Sequence, residues 1–229
     1  MKTHNLQHLG IIMDGNGRWA SRRNKPRLFG HRAGVESLKR TIKACMELNI
    51  KYLSVFAFST ENWSRPQEEV DGIMNLMLNF CKSEAEYAIQ NGVKVVTMGD
   101  LSRLPNELQT QINSLVEKTT KNNKLVLNIG INYGARAEII RAVNSIIASG
   151  AQTCTSEMFQ KHLYTSNLPD PDLIIRASGE KRLSNFMLYQ SAYSELYFPK
   201  TKWPDFNKKV IQKAIKVYQK RNRRFGGLN

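Results

Sequence analysis

Three short polar segments carry residues whose types and spacing could bind phosphate groups and a divalent metal ion. The first, residues 14–20, places Asp14 directly before two glycines and Arg18. Glycines let backbone N–H groups approach a phosphate closely, and an arginine adds a charged fork that matches phosphate oxygens. A carboxylate is stable beside a diphosphate when Mg²⁺ bridges them, since Mg²⁺ is commonly held by one or two carboxylates plus substrate phosphates. The segment therefore indicates a magnesium-assisted diphosphate site, with a simple Asp-Gly turn as the alternative.

The second and third segments add further cationic and hydroxyl groups. Residues 59–66 read S-T-E-N-W-S-R-P, so that hydroxyls, an amide, an indole and an arginine follow directly on an aromatic-rich stretch. Residues 176–185 place Arg176 at a predicted strand end and a second arginine and a serine beyond a glycine-containing bend. Two arginines with a hydroxyl suit the bidentate capture of a second diphosphate. Taken alone, the second segment could instead cap a helix through Ser59 or Thr60 with Trp63 in the core, and the third could be a solvated charged loop.

The stretches between these segments alternate between two hydrophobic periodicities. Short apolar and β-branched runs bounded by turn residues predict strands at residues 9–13, 52–58, 93–98, 125–131, 173–175 and 196–198. Longer stretches with apolar residues at helical spacing predict helices at residues 31–48, 70–89, 105–121, 135–148 and 208–224. The alternation favours an α/β fold, a single domain over residues 1–229 with a mostly parallel central sheet flanked by helices. Ligands of such sheets bind beyond the carboxyl ends of the strands, where the polar segments are expected to meet.

The composition indicates anionic partners. Lysine and arginine number 34 against 19 acidic residues, a formal net charge of +15, which suits phosphorylated substrates, an acidic membrane surface or nucleic acid. The three cysteines, Cys45, Cys81 and Cys154, form no CxxC pair, which favours free thiols in a reducing compartment over disulfides or zinc. The leading residues lack a signal-peptide core, and no apolar run reaches the ~20 residues of a membrane span. We therefore expect a cytoplasmic protein.

Two other classes of protein compete with a diphosphate enzyme. Residues 15–20 also match the dinucleotide fingerprint G-x-G-x-x-A. We expect no helix to start at these glycines, because Pro26 and a cationic run follow, and Asp14 would face a pyrophosphate with nothing to neutralise it. A nucleic-acid-binding α/β module would explain the positive charge, but it would leave the acidic residues of the polar segments without a role. Its binding would fall steeply with salt.

Taken together, the motifs resemble those of the undecaprenyl diphosphate synthase family of cis-prenyltransferases. They occur in order as M-D-G-N-G-R-W-A at residues 13–20, G-H-R-A-G at 30–34, F-S-T-E-N-W-S-R-P at 58–66 followed by Glu69, N-Y-G at 132–134, and a C-terminal signature at 172–185, 195–198 and 203–206. The resemblance spans residues 8–227. Ala177 and Lys181 depart from the family pattern, in which threonine and histidine are common at these positions. The resemblance implies the cis-prenyltransferase fold, a homodimer and peripheral contact with a membrane.

The resemblance also implies a reaction and its residues. Members condense isopentenyl diphosphate with an allylic diphosphate, here expected to be farnesyl diphosphate, into a long cis-polyprenyl diphosphate such as undecaprenyl diphosphate, the lipid-carrier precursor for cell-wall peptidoglycan. Asp14 and Asn62 are the expected catalytic residues, although a neutral amide is a poor base and better positions a group or water. Asp14 and Glu195 are the expected Mg²⁺ ligands, with Glu195 acting in its own subunit or across a dimer. The expected substrate-binding residues are Gly15, Asn16, Gly17, Arg18, Trp19, Arg27, His31, Ser59, Thr60, Glu61, Trp63, Arg65, Arg176, Arg182, Leu183 and Ser184.

Within this set the resemblance separates two diphosphate sites. The first segment, with Arg27 and His31, would cradle the allylic diphosphate, and the third segment would bind isopentenyl diphosphate. A non-catalytic partner subunit would have lost Asp14 or the Asn62 loop, and this chain retains both. The apolar faces of the predicted helix 70–89 and strand 52–58 are either the walls of a tunnel for the growing chain or ordinary core. The basic residues of segments 22–27 and 208–224 are expected to dock on an acidic membrane surface, and no nucleic-acid partner is expected.

Overall fold

Six strands form the centre of the structure, a computed structural model that describes residues 4–221. They are β1 (His8–Ile12), β2 (Tyr52–Ser59), β3 (Val93–Met98), β4 (Leu125–Tyr133), β5 (Leu173–Arg176) and β6 (Glu195–Tyr197). The sheet order is β3-β4-β2-β1-β5-β6, and every neighbouring pair is parallel. The predicted α/β class with its parallel sheet is therefore confirmed.

Seven α-helices connect and cover these strands in the described part of the chain. They are α1 (Asn16–Ser21), α2 (Arg27–Glu47), α3 (Gln67–Asn91), α4 (Asn106–Thr119), α5 (Ala135–Ala148), α6 (Ser156–Lys161) and α7 (Lys208–Gln219). Strand side chains alternate between the two faces of the sheet. Leu9 and Ile11 therefore face the larger core beneath α2, α3, α4 and α7, while Ile12 faces a smaller core with Phe186 and Met187. Within residues 4–221, no helix has both the length and the apolar character that crossing a bilayer requires.

Four helices differ by more than three residues from the sequence-based expectation, and one of them is α2, which begins at Arg27 rather than at residue 31. We expected no helix at the glycines of residues 15–17, which was wrong, because α1 begins at Asn16 directly after Gly15. A helix of six residues is too short to show a hydrophobic periodicity, and the same holds for α6, which was not predicted. The predicted helix 208–224 ends at Gln219, and Arg223 and Arg224 lie outside the described residues.

The strand register brings the three polar segments to one edge of the sheet. Ile12, near the end of β1, lies opposite Phe56 of β2 on one side and Arg176 of β5 on the other. The chain beyond each of these strands therefore emerges at the same carboxyl edge, as expected for an open α/β sheet. This edge carries the candidate site.

Candidate active site

A cavity of about 610 Å³ opens at the carboxyl ends of β1, β2 and β5. We call it the active-site cavity. Most of the residues that the sequence singled out line it. Its lining residues are Ile12, Met13, Asp14, Gly15, Asn16, Gly17, Arg18, Arg27, His31, Phe56, Ala57, Ser59, Glu61, Asn62, Arg65, Arg176, Ser184 and Asn185. The predicted residues outside this lining are Trp19, Thr60, Trp63, Arg182, Leu183 and Glu195.

The two glycines of the first segment allow close packing around Asp14. Gly15 has a φ of 97°, and a Cβ there would lie 2.7 Å from the Ser178 hydroxyl. A Cβ at Gly17 would lie 2.8 Å from a guanidinium nitrogen of Arg27. A side chain at position 15 would therefore push α1 away from the third segment, and one at position 17 would displace the Arg27 guanidinium from its place beside α1. The glycines bring the start of α1 and Arg27 to the same cavity wall.

Asp14 is held between two arginines. Arg176 donates from Nη2 and Nε to Asp14 Oδ2 at 3.0 and 3.2 Å, and Arg18 donates to Oδ1 at 3.1 Å. Burial raises the pKa of the Asp14 carboxyl, but the hydrogen bonds and charge of Arg176, followed by those of Arg18, outweigh burial and hold that pKa below its usual value. Asp14 is therefore an ionised carboxylate at neutral pH, as a metal-linked role requires.

Arg176 also holds the third segment in place. Its Nη1 donates to the Arg182 carbonyl at 2.8 Å and to the Ser184 hydroxyl at 2.6 Å. The Arg176 side chain is 6% exposed, whereas that of Arg182 is 59% exposed and extends to Glu180 at 2.8 Å. Arg176 is thus a buried residue that holds the third segment against Asp14, whereas Arg182 is an exposed arginine beside the cavity.

Glu69 organises the cations on the opposite wall. Its carboxylate accepts from Arg27 Nε at 2.8 Å and from Arg65 at 3.1 Å, and it lies 3.2 Å from His31 Nε2. Burial raises the Glu69 pKa, but Arg27, His31 and Arg65 outweigh burial and hold it below its usual value. Burial lowers the pKa of His31, against the influence of Glu69. From the sequence, Glu69 was matched to a family motif without a role of its own. Its spacing of four residues from Arg65 was the signal that could have predicted the Arg65–Glu69 ion pair.

Glu180 plays the corresponding part at the rim. Its two carboxylate oxygens accept from Arg18 at 2.6 Å and from Arg182 at 2.8 Å. No role for Glu180 was predicted, since a contact between residues 18 and 180 leaves no local sequence pattern. Each arginine predicted to bind diphosphate is therefore paired with a carboxylate of the protein itself.

Asn62 lies in a short 3-10 turn, Thr60–Ser64, that continues β2 into the cavity. Its Oδ1 accepts the backbone N–H of Ser59 at 3.1 Å, and the Ser59 side chain accepts from the Asn62 backbone in return. The amide oxygen is therefore engaged, which suits Asn62 to orienting a group rather than removing a proton. Glu61 joins this turn to the third segment through a 2.9 Å bond from Asn185.

The two predicted tryptophans lie outside the cavity lining. Trp63 packs edge-on against Phe58, with ring centroids 5.0 Å apart, and donates to Asn132 Oδ1 at 2.8 Å. Trp19 stacks on Phe29 and donates to Asp205 at 2.7 Å. Both indoles therefore stabilise the segments that carry the site.

Thr60 and Leu183 occupy neighbouring positions at the margin. Thr60 is half-buried at the start of the 3-10 turn, where a Cβ added to Gly134 would meet its hydroxyl at 2.6 Å. Leu183 lines a shallow depression of about 370 Å³ that shares Glu61 and Ser184 with the active-site cavity. The structure therefore places both residues beside the cavity, at the edge of the second and third segments.

Glu195 is not brought to Asp14 within one chain. It lies opposite Leu173, which in turn lies opposite Leu9, so it occupies the amino edge of the sheet. Asp14 follows Leu9 by five positions along β1 and its continuation, or roughly 16 Å at the rise of a strand. Glu195 contacts Arg221 instead. The described residues contain no cluster of three His, Cys, Asp or Glu side chains that could hold a metal.

A second, apolar cavity of about 100 Å³ adjoins the active-site cavity, with which it shares Met13, Asn16, His31 and Ala57. We call it the inner cavity. Its wall comes from α2, α3 and β4, including Ile73, Met77, Phe80 and Ile131. The apolar face of the predicted helix 70–89 thus borders a space open to the site, whereas β2 contributes Ala57 alone among the described residues.

Comparison with known proteins agrees with this geometry. The family model for undecaprenyl diphosphate synthase matches residues 12–226. An isoprenyl transferase of Clostridium perfringens is 50% identical, covering 97% of this chain and 90% of its own, and one of Fusobacterium nucleatum is 50% identical, covering 97% and 96%.

Two solved structures share the fold. The structure of lavandulyl diphosphate synthase from Lavandula x intermedia, in complex with dimethylallyl diphosphate, superposes with a TM-score of 0.93 at 34% identity, covering 96% of this chain and 98% of that one. A probable undecaprenyl diphosphate synthase from Campylobacter jejuni gives 0.82 at 38% identity, covering 97% and 99%. The chain therefore belongs to the undecaprenyl diphosphate synthase family of prenyltransferases, as its ordered motifs indicate.

Proposed function

We propose that this protein is a Mg²⁺-dependent cis-prenyltransferase. It condenses isopentenyl diphosphate repeatedly with an allylic diphosphate, farnesyl diphosphate by preference, into a long cis-polyprenyl diphosphate such as undecaprenyl diphosphate, for the lipid carrier of peptidoglycan synthesis. The observation that carries the proposal is a cavity with arginines on both sides of Asp14 that opens into an apolar inner cavity. Arginine forks suit diphosphates, and the inner cavity suits a hydrocarbon tail.

The two walls of the cavity divide the substrates. Arg27 and Arg65, positioned by Glu69, receive the allylic diphosphate, whose tail then points toward the inner cavity. Arg176 and Arg182 receive isopentenyl diphosphate on the opposite wall. The dimethylallyl diphosphate in the lavandulyl diphosphate synthase structure supports a prenyl diphosphate as the substrate class.

The ionised Asp14 fits a Mg²⁺ site because one carboxylate plus diphosphate oxygens is a common coordination set for this ion. When bound, Mg²⁺ supplies Lewis-acid stabilisation of the negative charge on the departing diphosphate. Arg18 and Arg27 add fixed positive charge at the same place. As the allylic C–O bond breaks, the isopentenyl double bond attacks the allylic carbon, and loss of a proton leaves the cis double bond. Asn62 orients the group that accepts this proton.

A homodimer is part of the proposal. Helix α5 exposes Ile140, Val143 and Ile147, at 61, 39 and 65%, along one face. An exposed apolar stripe of this kind suits a second copy of the chain, and a twofold contact would use the same stripe on both subunits. If Glu195 contributes to the metal site, it does so across the dimer, because it lies at the amino edge of its own subunit's sheet, away from Asp14. Light scattering of Ile147→Lys should report a lower mass than that of the wild type, and an unchanged dimer would argue against this face.

We also propose that the enzyme works in the cytoplasm and touches the membrane surface to release product. A polyprenyl chain is too apolar to leave into water. Residues 22–27 are exposed, and Lys209, Lys213 and Lys216 lie exposed along α7. Anionic headgroups attract each lysine or arginine near the surface by ~1 kcal/mol. Anionic vesicles should sediment the protein at low salt and release it at high salt, and equal retention by neutral vesicles would contradict this idea.

The decisive experiment incubates the purified protein with farnesyl diphosphate, labelled isopentenyl diphosphate and Mg²⁺, and then sizes the products. We expect radiolabelled chains with Mg²⁺ and none with a chelator. Folded protein that incorporates no label with any allylic diphosphate would refute the function. The same preparation tested against labelled DNA and RNA examines the nucleic-acid alternative, which predicts salt-sensitive binding and no condensation.

A further inference from the structure

Asn185 joins three parts of the cavity margin through both ends of its side-chain amide. Its Nδ2 donates to Glu61 Oε1 at 2.9 Å, and its Oδ1 accepts the backbone N–H of Arg136 at 2.9 Å. Its own carbonyl accepts the backbone N–H of Ala135 at 2.8 Å. The second segment, the start of α5 and the third segment therefore meet at this one residue, which lines the active-site cavity.

The two bonds to α5 cap that helix from a distant part of the chain. The first N–H groups of an α-helix have no partner within the helix, and Gly134, which precedes α5, has no side chain to supply one. Gly134 also leaves room for the cap, because a Cβ there would lie 2.6 Å from Asn185 Nδ2 and 2.6 Å from the Thr60 hydroxyl. The close approach of these segments therefore depends on a glycine at position 134.

Both the backbone and the bonding partners at position 185 favour asparagine. Its φ is 65°, in the left-handed region, which asparagine and aspartate tolerate better than other residues with a side chain. A backbone N–H can only donate and an ionised carboxylate can only accept, so the side chain between them must offer one acceptor and one donor. Burial raises the pKa of Glu61, but the bond from Asn185 and the neighbouring groups of the second segment hold that pKa below its usual value.

The Asn185–Glu61 bond lies between the two places where the proposed reaction must act together. On one side, Glu61 directly precedes Asn62, which orients the proton acceptor. On the other side, Ser184 directly precedes Asn185 and accepts from Arg176 at 2.6 Å. The bond therefore fixes the distance between the Asn62 turn and the arginine that would hold isopentenyl diphosphate.

We propose that Asn185 is a positioning residue for the condensation, which ties the Asn62 turn to the isopentenyl diphosphate site. This inference rests on the proposed function. Proton loss from the isopentenyl unit requires the acceptor and the diphosphate site to lie at a fixed separation, and a misplacement of about 1 Å can lower a rate about 10²-fold. Because Asn185 acts by holding protein groups, its replacement should lower kcat and leave the KM for the allylic substrate unchanged.

The test compares the stability and the kinetics of Asn185→Asp and Asn185→Ala with those of the wild type. Asn185→Asp keeps an acceptor for the start of α5, where a negative charge is favourable, but it repels Glu61. Asn185→Ala loses both side-chain bonds and fits the left-handed backbone less well. We therefore expect Asn185→Ala to be the less stable variant and Asn185→Asp the less active one, with kcat lower by about 10- to 10²-fold. A residue that only stabilises the fold would give the same order in both measurements.

A second comparison tests the contact itself. A glutamine amide at position 61 can donate to an aspartate at position 185. The loss of kcat caused by Asn185→Asp should therefore be about tenfold smaller in the Glu61→Gln background than in the wild type. Asn49→Asp is the matched control, because Asn49 is exposed and has a φ of 57°, in the turn before β2 at the amino edge of the sheet. The control should leave kcat unchanged.

Each outcome bears on a different claim. If Asn185→Ala does not fold, Asn185→Gly replaces it, since glycine accepts the left-handed backbone. A wild-type kcat in Asn185→Asp, or an equal loss of kcat with and without Glu61→Gln, would overturn the inference alone. A folded wild type that makes no prenyl product would overturn the proposed function and, with it, this inference.

Discussion

Replacing Arg176 with alanine should destabilise the fold and lower turnover, whereas replacing Arg182 should weaken substrate binding alone. Both arginines face the same proposed isopentenyl diphosphate site, but their environments differ. Arg176 is 6% exposed and donates to Asp14, to Ser184 and to the Arg182 backbone, while Arg182 is 59% exposed and pairs with Glu180 at the rim.

The expected free energies follow from these contacts. Removing one partner of a buried ion pair costs about 3–5 kcal/mol, because the remaining charge is left poorly compensated. Asp14 is 23% exposed and keeps Arg18, so Arg176→Ala should lower the free energy of unfolding by an amount near the lower limit, about 3 kcal/mol. An exposed pair contributes only about 0–1 kcal/mol, so Arg182→Ala should leave the free energy of unfolding nearly unchanged.

Two measurements separate the roles. Chemical denaturation gives the free energies of unfolding, and steady-state kinetics give kcat and the KM for each substrate. Loss of a charge-assisted contact of about 1.5–3 kcal/mol should raise the KM for isopentenyl diphosphate roughly ten- to hundredfold in either variant. Only Arg176→Ala should also lower kcat, because it releases Asp14.

Arg32, an exposed arginine on α2, provides the control, and Arg32→Ala should change neither stability nor kinetics. Equal free energies of unfolding for Arg176→Ala and Arg182→Ala would refute the reasoning from burial. A larger rise in the KM for the allylic substrate would show that the two diphosphate sites are assigned the wrong way round.

Three further perturbations test other parts of the structure. Asp14→Asn should lower turnover at least ~10²-fold while circular dichroism shows a native fold, and near-normal turnover in that folded variant would exclude the metal-linked role. Glu69→Gln should raise the KM for the allylic substrate more than that for isopentenyl diphosphate, because one amide oxygen cannot hold Arg27 and Arg65 as the carboxylate does. Burial lowers the pKa of His8 to about 4 from 6.5, so its neutral form stabilises the fold above pH 6.5 and that stability is lost as the pH falls toward 4. Urea denaturation should show that the free energy of unfolding falls by about 2 kcal/mol between pH 7 and pH 5. An equal fall with pH in His8→Gln would assign the loss to other groups.

The strands and long helices could be predicted because each buries a continuous apolar face. β3 and α5 match their predicted bounds, since their patterns are regular and end at turn residues. The first helix, α1, could not be predicted, because it has only six residues. Its buried residues are Gly17 and Ala20, which form no periodic apolar face. The clustering of the three polar segments followed from the rule that parallel strands end at one edge.

The pairing of charges within the site could not be predicted. Glu180 meets Arg18 across 162 positions of sequence, and the geometry depends on the positive φ of Ser178 and Gly179 in the intervening bend. The place of Glu195 depends on the register of β6, a strand of three residues whose pairing no sequence pattern specifies. Local patterns therefore identify which residues can do chemistry, and the register decides which of them meet.

Carboxylates of the protein itself hold the arginines of the cavity in place. Arginines held close together repel one another, and those that are partly buried lose hydration, so unpaired they would destabilise the fold. Asp14, Glu69 and Glu180 offset that cost and fix the direction of each guanidinium. An incoming diphosphate must then offer oxygens in an arrangement that these fixed forks can share or exchange. A monoanion offers too few oxygens to engage both arginines of a wall, so the carboxylates that compete with substrate also select for the diphosphate group.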